Sequence, residues 1–86
     1  MYWVYILYSR SFHQTYIGHT NEVSQRFYRH NRGFVLSTKR YRPWEMIYTE
    51  EFTSRSEAMK REKYFKSGVG REEVKRIVEQ YLRQNG

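Results

Sequence analysis

The chain has 86 residues and no cysteine, and its 16 lysines and arginines outnumber its 9 acids to give a formal charge of +7. That length, with no linker-like stretch, supports one domain over residues 1–86 with a small core, because a chain of this size buries only ~60–65% of the surface it exposes when unfolded. Disulfides and thiolate metal sites are excluded, and no apolar run approaches the ~18 residues of a membrane span. The opening Met1–Leu7 lacks the basic lead and cleavage site of a secretion signal, so a soluble cytoplasmic protein is expected.

The first element expected is a hairpin. Tyr2–Tyr8 and Thr15–Thr20 are rich in aromatic and β-branched residues and flank the polar stretch 9–14. A short helix near Glu22–Asn31 follows, with Asn21 as its N-cap, Val23 and Phe27 at helical spacing, and Gly33 as its stop. Residues 32–43 are basic and irregular, and Pro43 disfavours helix at Arg42. Met46–Phe52 alternates as a third strand. Ser54 and Glu57 form a capping-box pattern that opens a helix to about Lys66. Gly68 and Gly70 punctuate the chain before Val74, Ile77, Val78, Tyr81 and Leu82 mark one face of a terminal amphipathic helix. The order ββαβαα defines an α/β (α+β) domain, a small, mostly antiparallel three-stranded sheet flanked by helices. The terminal stripe suits core burial at roughly two to one over a dimer contact, which leaves a monomer or a weak dimer.

Excess positive charge favours a polyanionic partner, because it speeds encounter with phosphate backbones and releases counterions on binding. Several residues can turn such binding into chemistry. Arg26 and His30 are four apart on the first helix and project from one face, which suits a shared phosphate pocket. Arginine keeps its charge and offers two parallel bonds to phosphate oxygens. Gly18, two residues after Tyr16, allows a ligand or a second backbone to approach closely. Tyr5 and Tyr16 also read as sheet tyrosines with satisfied hydroxyls, and Arg26 and His30 as a surface arginine and a helix-end histidine. Lys39-Arg40-Tyr41-Arg42-Pro43-Trp44 interleaves cations with aromatics, the combination that holds single-stranded nucleic acid, and it reads equally as a basic loop with inward rings. Lys66 adds charge on the helix that follows.

Val4-Tyr5, Tyr16-Ile17-Gly18-His19-Thr20-Asn21, Arg26, His30-Asn31, Arg42-Pro43-Trp44-Glu45 and Ser54-Arg55-Ser56-Glu57-Ala58 occur in an order that resembles the GIY-YIG nuclease superfamily. The likeness is greatest to small stand-alone members related to the nuclease domain of the bacterial excision-repair protein UvrC, and it covers nearly the whole chain. It implies a metal-dependent DNA endonuclease in repair or processing. Tyr5 and Tyr16 would be the motif tyrosines, with Tyr5 favoured as the base, and Arg26 would be the catalytic arginine. His30 falls at a position held by Tyr or His. Glu57 falls at the single metal-binding glutamate, where one carboxylate with waters and a phosphate suits Mg²⁺ or Mn²⁺. On spacing alone Glu57 is a helix cap, and Glu62, further along the same helix, is the weaker acidic candidate. Trp3 stands where the first motif has Gly, His19 where some members have Lys, and no Asn occurs near Val69.

Three functions follow as expectations. The first is a DNA endonuclease of low sequence specificity, acting on single-stranded or structured DNA with Gly18, His19, Lys39, Arg40, Tyr41, Arg42 and Lys66 as nucleic-acid contacts. The second is a nucleic-acid-binding module that has lost catalysis, and the third is a nuclease subunit that needs a protein partner for targeting.

Overall fold

The computed structural model describes residues 1–86, and its elements follow the expected order. They are β1 (Tyr2–Ser9), β2 (Gln14–Thr20), α1 (Val23–Asn31), a single 3₁₀ turn (Lys39–Tyr41), β3 (Glu45–Phe52), α2 (Arg55–Phe65) and α3 (Gly68–Asn85). The strands form one antiparallel sheet in the order β2-β1-β3, with Tyr5 opposite Gly18 on one side and Thr49 on the other. A register shift between Ile6 and Leu7 leaves Ile47 as an extra residue on β3, a bulge that bends this edge.

An antiparallel sheet often leaves one face to water, which gives a polar alternation. Strand β1 has none: Val4, Tyr5, Ile6 and Leu7 are all at most 1% exposed. Helices α2 and α3 cover the face of Val4, Ile6 and the β2 residue Ile17 through Ala58, Phe65 and Val74. The opposite face, carrying Tyr5 and Leu7, packs against Trp44 with Phe27, Tyr41 and Met46 around it. The terminal stripe therefore belongs to the core: Val74 is buried, and Ile77 and Val78 pack against the same cluster. No helix is long and apolar enough to cross a membrane.

Local chemistry sets the helix ends, in three places differently from expectation. Asn21 does not cap α1; the Thr20 hydroxyl accepts from the Glu22 amide instead, and Glu22 occupies the cap without a side-chain bond. Gly70 is no break either. It lies inside α3, where a Cβ would come within 1.8 Å of the Tyr64 carbonyl oxygen, so glycine is what lets α3 start tightly against the end of α2. Ser67 caps that start by accepting from the Gly70 amide. At Ser54 the expected cap is present, the hydroxyl accepting from the Glu57 amide, but the Glu57 carboxylate accepts from the Thr53 and Ser54 hydroxyls rather than from the Ser54 amide. Gly33 ends α1 as expected, at φ +81°, with the Gly33 and Phe34 amides closing back on the His30 and Arg29 carbonyls in a Schellman pattern.

Candidate active site

The centre of the site is a buried chain of three side chains from three segments. Tyr5 reaches from β1 to His30 on α1, with its hydroxyl 3.0 Å from Nε2, and His30 Nδ1 lies 2.8 Å from the Thr38 hydroxyl. Thr38 in turn donates to the Val35 carbonyl. That last bond fixes the rest: Thr38 has its proton committed, so it accepts from Nδ1–H, and Nε2 is left to accept from the Tyr5 hydroxyl. All three residues are at most 1% exposed. Burial, then proximity to Tyr16, holds the Tyr5 phenol well above its usual titration range, with Arg26 opposing. Burial, with the positive charges of Arg26 and Arg29, pushes His30 down to about 4. At neutral pH the unliganded site thus holds a neutral phenol donating to a neutral imidazole.

Thr38 was not singled out in the sequence, and only its place in a polar, irregular stretch was legible. Its position depends on a contact between distant residues. The Asn31 side chain bonds both backbone groups of Trp44, accepting from the amide at 2.7 Å and donating to the carbonyl at 3.0 Å, and the Trp44 indole donates to the Thr38 carbonyl. These bonds draw the segment after α1 over His30. Its aromatics turn inward: Trp44 is buried, and Tyr41 packs edge-on to Trp44 and Phe12. Lys39, Arg40 and Arg42 remain exposed, with Arg42 donating to the Lys39 carbonyl.

Gly18 lies under Tyr5. A Cβ there would be 2.6 Å from the Tyr5 hydroxyl, so the glycine creates the space that this oxygen occupies. Tyr16 is half-buried beside the same groups, with its ring centroid 4.9 Å from that of His30 and 6.3 Å from that of Tyr5. Arg26, one turn before His30, is exposed and acts electrostatically on both Tyr5 and His30. It also lines a cavity of about 180 Å³ with His19, Thr20, Asn21 and Arg55, with no carboxylate on its walls. Tyr5, Tyr16, Gly18, Arg26 and His30 are therefore gathered around one place.

Glu57 is not in this group. It is exposed at the outer end of α2, and its carboxylate is taken up by the two hydroxyls of the cap. Glu62 is the acid on the site side: its carboxylate lies 2.6 Å from His19 Nδ1 and 2.7 Å from Lys66 Nζ, and its charge acts on Tyr5. Burial raises the Glu62 carboxyl, but the hydrogen bonds from His19 and Lys66 outweigh this and hold it below the usual carboxylate range. The two acids are five apart on α2, so they project in different directions, and the sequence alone did not show which direction faces β2. No group of three His, Asp or Glu side chains is assembled to hold a metal by itself. A site for Mg²⁺ or Mn²⁺ here would rest on one ionised carboxylate plus water and substrate oxygens, and the donor chemistry of Glu62 fits that.

The sheet with α1 on one face and α2 and α3 on the other, holding two β-strand tyrosines against an arginine and a histidine from one helix, is the arrangement of a small GIY-YIG domain. The profile of the GIY-YIG catalytic domain matches residues 1–76, and the chain belongs to this family. A UPF0213 protein of Limosilactobacillus reuteri is 33% identical over 81 residues, covering 91% of this chain and 83% of its own length. The UPF0213 protein SERP0126 of Staphylococcus epidermidis is 38% identical over 65 residues, covering 74% and 79%. The solution NMR structure of the UPF0213 protein BH0048 from Bacillus halodurans superposes with a TM-score of 0.51 at 32% identity, over 86% of this chain and 82% of that one.

Proposed function

We propose that this chain hydrolyses DNA phosphodiester bonds with one divalent cation, Mg²⁺ or Mn²⁺, and with low sequence specificity. The observation that carries the reading is the buried Tyr5–His30–Thr38 chain, which joins a phenol at the site to a histidine whose tautomer is fixed to receive its proton. In hydrolysis, water attacks phosphorus and the bond to the leaving oxygen breaks. As the attacking water loses its proton to the Tyr5 oxygen, the Tyr5 proton passes to His30 Nε2. Tyr5 therefore acts as base without first becoming a free phenolate, which its burial opposes. The leaving oxygen takes a proton from solvent. Arg26 meets the extra charge on the phosphoryl oxygens, and Tyr16 orients the water or the phosphate.

Glu62 is the residue that would hold the cation, in place of Glu57, which caps α2. A bound cation would supply charge stabilisation to the phosphoryl oxygens. In the unliganded state His19 and Lys66 hold the Glu62 carboxylate in place and keep it ionised.

The test is cleavage of end-labelled DNA with Mg²⁺ or Mn²⁺ by the wild type, Tyr5→Phe and Arg26→Ala. Loss of the base lowers the rate by ~10²–10⁴-fold, and loss of the arginine by ~10²–10³-fold. Cleavage by Tyr5→Phe at the wild-type rate would reject the relay.

A further inference from the structure

One groove of the molecule is not part of the site described above, but it begins there. It has a volume of about 630 Å³ and lies between the β1–β2 hairpin and α3. Its floor is apolar: Ile17, Phe65 and Val74 lie beneath it, buried in the core, and the half-buried Tyr16 and Val78 present apolar surface to it. Tyr8 and Tyr16 stand on the hairpin side, and Lys66, Arg71 and Lys75 on the helical side, and no carboxylate lines it.

The helical side has a regular structure. Arg71, Val74, Lys75 and Val78 follow the i, i+3, i+4, i+7 spacing of one helical face, so a row of two cations runs beside a row of two aliphatic side chains. A polymer with charges at regular intervals on one edge and flat apolar groups on the other matches such a surface. Two residues join the groove to the proposed active site. Tyr16 touches both, with its ring against His30, and Lys66 on the groove wall is paired with Glu62.

Resting on the nuclease reading above, we propose that this groove binds the single strand that flanks the scissile phosphate, which makes single-stranded DNA the substrate class. Bases lie against the half-buried Tyr16 and Val78, and phosphates follow the exposed Lys66, Arg71 and Lys75. A duplex keeps its bases stacked inside and presents none to the floor. In the Lys39–Trp44 segment Trp44 is buried and Tyr41 packs against Trp44 and Phe12, whereas the groove sets the half-buried Tyr16 and three cations around one space.

The experiment is fluorescence anisotropy with a labelled oligothymidylate of about 12 nucleotides, in EDTA so that no cleavage occurs, over a series of salt concentrations. Wild type is compared with Arg71→Glu/Lys75→Glu and with Arg76→Glu/Arg83→Glu, which makes the same charge change on α3 outside the groove. All four residues are exposed, and circular dichroism checks that the helix is retained. The groove variant is expected to lose at least ~10-fold in affinity. Two lost phosphate contacts, at ~0.7 each for a single strand, also reduce the slope of log K against log salt by ~1.4. The control pair is expected to lose less, with little change in slope. Equal effects of the two pairs, or unchanged binding by Arg71→Glu/Lys75→Glu, would overturn the groove. As a second readout, a 5-iodouracil strand should photocross-link to Tyr16, and cross-links confined to the Lys39–Trp44 segment would overturn it as well. These binding measurements are independent of turnover: failure of the nuclease reading shows as binding without cleavage, and failure of the groove as binding that ignores Arg71 and Lys75.

Discussion

In the proposed mechanism His30 serves stability and activity through the same proton. Its folded-state value of about 4 lies below the usual 6.5, so the folded protein binds fewer protons here than the unfolded chain. The stabilising contribution is complete above about pH 6.5 and is lost as pH falls towards 4, reaching up to about 3 kcal/mol at ~1.4 kcal/mol per pKa unit. Replacing His30 with glutamine, which does not titrate, should flatten urea-unfolding stability across this window. Activity should rise with pH through the same group, because only neutral His30 can take the Tyr5 proton. A phosphate beside Arg26 offsets one of the charges that depress it, so the acidic limb of kcat should lie above that of kcat/KM. Coincident limbs would argue against His30 as the acceptor.

That Tyr5 and Tyr16 lie on strands and that Arg26 and His30 share one helix face was legible because strand alternation and helical spacing are local rules, whereas their roles were expected only from the resemblance to the GIY-YIG superfamily. The contest between Glu57 and Glu62 was not legible. Both lie on one helix, and the capping pattern at Ser54 explains Glu57 without any role at the site. What distinguishes them is that α2 turns Glu62 towards His19 on the edge strand, a fact of packing between elements.

Among the elements, two glycines show how closely the backbone is fitted. Gly18→Ala places a methyl 2.6 Å from the Tyr5 hydroxyl, at the flexible end of a ring. The ring must move off His30, so overpacking should cost about 1–3 kcal/mol and activity should fall with it. Gly70→Ala meets backbone at 1.8 Å and cannot be relieved by a rotamer, so it should destabilise by about 3 kcal/mol or more. Its effect on the active site is indirect. Thermal unfolding of the two variants beside DNA cleavage separates these outcomes: Gly70→Ala should lower Tm more, and Gly18→Ala should lower kcat more. In sequence, Gly70 read as a break because an isolated glycine is a poor helix former. The tight turn between α2 and α3 that needs it has no local signature beyond Ser67. Asn21 likewise had a good capping side chain, but the Thr20 hydroxyl reached the Glu22 amide first.

For the whole molecule, charge and site lie together. Of the five ion pairs, three engage Arg10 or Arg61, with Glu45, Glu50 and Glu73, and tie the hairpin turn to β3, α2 to β3 and α2 to α3; the other two meet at Glu62. Arg26, Arg55, Arg71 and Lys75 are in none of them, and each lines either the cavity beside the catalytic group or the groove that leads from it. Part of the net positive charge read from composition is thus left unpaired along a path past edge strand β2. Binding to DNA should weaken steeply with salt.

The most direct measurement is metal-dependent cleavage of labelled single-stranded DNA by the wild type, Glu62→Gln and Glu57→Gln under identical conditions, with each variant checked for folding. With the cation on Glu62 and Glu57 serving as a cap, Glu57→Gln should cut within a few-fold of wild type after losing about 1 kcal/mol of stability at most, and Glu62→Gln should lose ~10²-fold or more. Undiminished cutting by Glu62→Gln, with activity lost in a folded Glu57→Gln, would contradict the site described here.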